Sequence, residues 1–185
     1  MRKTLLTLTP AALLLLAVAG GAQAANNAVV VITGNVVAAT CDVSASTNSL
    51  DVGNHTRTEF ADAGVPVANN VKQFTVGLSN CETPLAPGDT AGLVVNGATL
   101  GGNPNIFNTS GTNAGVMLSL ASAPGTYITA GQKVNIATAT TSPLSAGDFN
   151  GKSLTFNAAL GSSSTGTGVD LGSVNAPITF QFAYN

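Results

Sequence analysis

Along most of the chain apolar and polar side chains alternate with a period of two, in short runs. Successive residues of an extended strand face opposite ways, so this period predicts strands with one buried face. Runs bounded by Gly, Pro, Asn, Asp or Ser clusters place strands at 29–37, 41–43, 49–52, 71–78, 91–95, 116–121, 133–139, 153–160 and 176–184. Turn chemistry separates them at Pro87-Gly88-Asp89, Asn96-Gly97, Asn103-Pro104, Pro124-Gly125 and Asn150-Gly151. Stretches 101–113 and 161–168 read as surface loops, and the acidic, Ala/Gly-bearing stretch 56–69 has room for a short helical turn. No amphipathic helix and no internal repeat emerges. The pattern predicts an all-β sandwich or barrel in one domain.

The two ends carry the strongest patterns. At the C-terminus Ile178, Phe180, Phe182 and Tyr184 share one face, and Thr179, Gln181 and Ala183 the other. That face holds three of the nine aromatic residues, so it must enter a core. Near the other end Val29-Val30-Val31-Ile32 favours extended backbone, since β-branched residues pack well on a pleated surface. It precedes the first cysteine, and an unpaired apolar strand in water invites aggregation. It therefore pairs either within its own sheet or with another chain.

Residues 1–24 read as a secretory signal peptide, with positive Arg2 and Lys3, an apolar run from Leu5 to Gly20, and Ala22-Gln23-Ala24 as a cleavage signature. The apolar run spans 16 residues and holds Pro10, short of the roughly 20 needed to cross a bilayer. Cleavage leaves four basic against eight acidic residues, a net charge of −4. Six scattered Lys and Arg in the whole chain cannot form a nucleic-acid surface. Cys41 and Cys81 are the only cysteines, and in an oxidising compartment they read as one intrachain disulfide. In the chain-entropy view a loop of that size contributes about 4 kcal/mol.

Candidate chemistry is sparse. The single histidine, His55, stands in Gly53-Asn54-His55-Thr56 near Asp51 and Glu59, and reads as an exposed loop residue rather than a metal ligand. No G-x-S-x-G elbow and no G-x-x-x-x-G-K-[ST] loop occurs. One His and two Cys leave no metal cluster within one chain. No enzyme, cofactor, metal or small-molecule substrate is expected.

These features fall in a specific order. A signal peptide is followed by a hydrophobic extension with Gly34 seven residues before Cys41, within Gly34-Asn-Val-Val-Ala-Ala-Thr-Cys-Asp-Val43. A second cysteine follows in Leu78-Ser79-Asn80-Cys81, Gly172 lies fourteenth from the end, and Tyr184 is penultimate in an alternating strand. In this the chain resembles pilins of the chaperone–usher pathway, close to type 1 fimbrial major subunits. The resemblance implies an incomplete immunoglobulin-like β-sandwich at 40–185, whose missing strand leaves a groove. It also implies a donor strand at 25–39, with Ala28, Val30, Ile32, Gly34 and Val36 of one parity facing the next subunit's groove. Gly172, Ile178, Phe180, Phe182 and Tyr184 would form the groove-edge strand that a periplasmic chaperone reads. The implied partners are neighbouring pilin subunits, that chaperone and an outer-membrane usher; the implied destination is a surface fimbria that supports adhesion. A monomeric secreted β-sandwich binding carbohydrate or protein is the alternative, and a periplasmic hydrolase built on His55, a Ser and an acid is a third.

Overall fold

The computed structural model describes residues 39–185. The signal peptide and residues 25–38 of the expected donor segment lie outside these residues, and its last residue, Ala39, is buried. Ten strands form two sheets: β1 (Asp42–Ala45), β2 (Lys72–Ser79), β3 (Thr90–Gly97), β4 (Thr99–Leu100), β5 (Asn103–Phe107), β6 (Ala114–Leu120), β7 (Ala123–Tyr127), β8 (Gln132–Thr138), β9 (Ser153–Ser162) and β10 (Ile178–Tyr184). The larger sheet runs β1-β2-β9-β6-β5-β4, with β7 folded back on β6; the smaller runs β10-β3-β8. All pairings are antiparallel.

The period-two pattern explains the core. Val76 and Leu78 of β2, Ala91, Leu93 and Val95 of β3, Leu118 of β6 and Phe156 and Ala158 of β9 are fully or nearly fully buried between the layers. Phe149, just before β9, closes one end and meets the Tyr184 ring edge-on at 6.2 Å. A smaller cluster of Phe60, Val67, Ala114, Leu160 and Val169 closes the other. The Cys41–Cys81 disulfide forms as expected and ties β1 to the end of β2.

Several expectations need correction; Asn96-Gly97, read as a turn, lies inside β3, and Gly161 and Ser162, read as loop, lie inside β9. Residues 49–52 are not a strand. β1 parts from β2 at Ser46, whose N–H donates to Thr75, and local bonds then replace the ladder. The Thr47 hydroxyl donates to the Ser49 carbonyl, and the Gly53 N–H donates to Asp51. Within the expected loop 101–113 lies β5, whose Ile106 and Phe107 are wholly buried. Pro104, read as a turn, sits where the Ala130 N–H reaches its carbonyl and its own missing N–H costs nothing. Pro124-Gly125, also read as a turn, lies inside the exposed return strand β7. The helical turn expected within 56–69 is a 3-10 turn, Arg57–Glu59, closed by a Thr56–Glu59 capping box.

Candidate functional site

Each sheet ends in a strand paired on one side only. Among the described residues β1 bonds only to β2, and β10 only to β3. These two edges approach each other, and a groove of about 560 Å³ lies between them. Its walls are Val43 and Ala45 of β1 and Ile178, Thr179 and Phe180 of β10; Phe74, Val76, Val116, Leu118 and Ala158 form its floor. Core side chains thus line a slot flanked by two open main-chain edges, the geometry that an added strand fills.

The C-terminal strand is built as its alternation requires. Ile178, Phe180, Phe182 and Tyr184 all pack on the core cluster, but each is only partly buried. Phe180 completes an aromatic triangle, its ring 5.1 Å from Phe156 and 5.8 Å from Phe74, with Phe74 and Phe156 stacked at 5.4 Å. Aromatic pairs at such spacings add to the burial of their area. Gly172 is not part of this strand. It lies six residues ahead of β10, exposed, with a φ of +150° that L side chains rarely adopt, and a Cβ there would stand 3.1 Å from Thr112.

The chain end is pinned. Asn185 and Thr90 exchange main-chain hydrogen bonds of 3.0 and 3.1 Å. The Tyr184 hydroxyl donates to the Asp89 carboxylate and accepts from the Leu85 N–H at 3.0 Å. Asp89 also accepts from the Leu85 and Ala86 N–H groups, at 3.0 and 2.7 Å. The Tyr184 hydroxyl, followed by the Ala86 N–H, holds the Asp89 carboxyl below the usual range. Burial, reinforced by Asp89, pushes the Tyr184 phenol up. Sequence reasoning named Tyr184 but not Asp89. The turn signal at Pro87-Gly88-Asp89 was legible, whereas a partner 95 positions away was not.

Beyond the start of β10 a second cavity of about 660 Å³ continues along the same side. Asn48, Ser49, Leu50, Val52, Val116, Ala176 and Pro177 line both spaces. Its remaining wall is more polar and includes Asp51, His55, Arg57, Asp170 and Gly172. Here a further expectation fails: His55 is no exposed loop residue. Its side chain is 2% exposed, with Nδ1 2.8 Å from Glu59 Oε2 and Nε2 3.0 Å from the Val52 carbonyl. The hydrolase reading asked for a serine against this ring. Both ring nitrogens instead face oxygen acceptors, and no serine is among their partners in the described residues. Likewise, no group of His, Cys, Asp and Glu among the described residues is arranged to hold a metal ion.

Ala28, Val30, Ile32, Gly34 and Val36, the expected donor residues, lie outside the described residues. A family model described as fimbrial protein matches residues 30–185. Among solved structures, the P pilus rod subunit PapA is 20% identical, with a TM-score of 0.53, covering 84% of this chain and 98% of that one. A chaperone–usher pilus whose structure concerns rod uncoiling is 19% identical, with a TM-score of 0.52, covering 87% of this chain and 97% of that one. No curated protein matches the sequence.

Proposed function

The chain belongs to the fimbrial protein family and is a structural pilus subunit exported to the cell surface, and from this premise we propose that it polymerises by donor-strand exchange. The extension at 25–39, freed by removal of residues 1–24, enters the groove of a neighbouring subunit and pairs with its β1 and β10 edges. Ala28, Val30, Ile32 and Val36 point inward onto the apolar floor. Gly34, of the same parity, passes a place too shallow for a side chain. Before assembly a periplasmic chaperone lends a strand to the same groove, reading the face of Ile178, Phe180, Phe182 and Tyr184. An outer-membrane usher is where the exchange occurs. Adhesion follows from the assembled filament, and the chain works as a building unit, not as an enzyme.

The observation that carries this reading is the open groove between β1 and β10, whose floor is formed by core residues. Donor and groove are different surfaces, so each contact is head-to-tail and propagates without closing a ring. The test moves the extension. Residues 25–39 are deleted from the front and appended behind Asn185 through a flexible Gly/Ser linker. The expected product is a monomer with a raised Tm that forms no filaments. A rearranged chain that still polymerises, or melts where the shortened chain melts, overturns the proposal.

A further inference from the structure

We propose that Lys133 and a bulge at Ile136 close the β8 edge to strand addition and so decide which edge of the smaller sheet takes the donor. The sheet β10-β3-β8 has two edges, and among the described residues each outer strand pairs only with β3. Both outer strands are seven residues long. Both turn apolar side chains to the same core, Ile178, Phe180 and Phe182 from β10 and Val134, Ile136 and Ala137 from β8. Length and apolarity therefore do not tell the edges apart, and an open edge of either kind is a template for a further strand.

Two features do. β10 pairs with β3 without a break, from Ile178 opposite Gly97 to Tyr184 opposite Ala91, and it carries neither Pro nor a charged side chain. In β8 the register shifts: Ala137 stands opposite Ala91 and Asn135 opposite Gly92, which leaves Ile136 unmatched. An extra residue of this kind bends the strand and breaks the even row of N–H and C=O groups that an incoming chain must match. Lys133 adds a charge close by. Its stem crosses the sheet over Gly92, where a Cβ would stand 2.6 Å from Lys133 Cε and 3.1 Å from its Cγ, so glycine leaves it room. Lys133 Nζ is enclosed with no hydrogen-bond partner, and Lys133 makes no ion pair among the described residues. A strand laid on β8 would cover the rest of a side chain whose charge nothing offsets, which is costly. At β10 the incoming strand meets neither obstacle. The choice of edge by the donor rests on the donor-strand reading; the barrier at β8 does not.

Amide exchange on the purified chain freed of residues 1–24 tests it, with a synthetic peptide of residues 25–39 in excess as the probe strand. In the wild type the peptide is expected to slow exchange across 178–184 and to leave 132–138 unchanged. In Lys133→Val with Ile136 deleted, 132–138 is expected to slow as well, by about tenfold or more, as outward N–H groups gain partners. Lys133→Arg, which keeps the charge and the bulge, should match the wild type. The double variant is also concentrated without peptide, where the β8 edges of two copies are expected to pair and protect 132–138, an outcome that needs no donor. Protection of 132–138 by the peptide in the wild type, or no protection of it in the double variant under either condition, overturns the proposal. If the double variant does not fold, Lys133→Val alone decides by the same two readings. A wild type unprotected at 178–184 counts against the donor-strand reading, while self-pairing at 132–138 still reports on the barrier, so the two fail separately.

Discussion

Two carboxylates show how single residues hold this fold at its ends. Asp148 is buried and accepts from the N–H groups of Thr140, Thr141 and Ser145 and from the Thr141 hydroxyl. These donors, the Thr141 hydroxyl foremost, lower its carboxyl to about 2. A carboxyl depressed by folding adds stability that is full above its ordinary value and is lost as pH falls toward its folded value. For Asp148 that window runs from 3.8 down to about 2. Thermal melts are expected to shift downward through this window in the wild type. Asp148→Asn is expected to melt lower at neutral pH and to show a flatter acid profile, and parallel profiles would contradict this account. Asp89 loses its contribution in the same direction, as acid protonates the acceptor of the Tyr184 hydroxyl. Tyr184→Phe keeps the ring against Phe149 but removes that donor and the acceptor of the Leu85 N–H. Its Tm is expected to fall by several degrees at neutral pH, and to approach the wild type in acid.

Strand position was legible wherever alternation and burial coincide. β2, β3, β6, β8, β9 and β10 fall on the expected runs to within a few residues, because each has one face in a shared core. The failures have separate physical causes. β5 and β7 carry Pro within the strand, and at a poorly paired position the missing donor is harmless, so a breaker in the sequence breaks nothing in the fold. The stretch 49–52 has strand residues but no ladder, and local hydrogen bonds, Thr47 with Ser49 and Gly53 with Asp51, stand in its place. From the residues alone the groove was readable as an alternating C-terminal strand, whereas Val52 in its lining and Asp89 holding Tyr184 came through contacts no local pattern encodes. Close approach between strands gives a test at this scale. A Cβ on Gly161 of β9 would stand 2.3 Å from the Met117 sulfur of β6, while one on Gly101 meets nothing within 4 Å. Gly161→Ala is expected to cost about 1–3 kcal/mol in denaturant unfolding, as overpacking does, and Gly101→Ala close to nothing. Equal stabilities would show that β6 and β9 pack less tightly than described.

For the molecule as a whole, the decisive relation is between a groove at one place and an extension at another. If the extension is held by its inward parity, a detached copy of it must compete. A synthetic peptide of residues 25–39, added in excess to polymerising subunits, is expected to occupy grooves and shorten filaments as its concentration rises. The groove floor is apolar, with Val76, Leu118 and Ala158 each at most 2% exposed, so in the proposed docking affinity would reside in the side chains aimed there. Changing Val30 and Ile32 to Ser should abolish the competition, whereas changing Val29 and Val31, of the opposite parity, should leave most of it. Gly34→Val should fail although it adds apolar surface, because a β-branched side chain has no room where the strand runs close to the floor. Filament length distributions by electron microscopy read all four peptides. If the Gly34→Val peptide competes as well as the parent, the shallow step in the groove is absent. If the two parity variants behave alike, the segment does not dock as a strand at all.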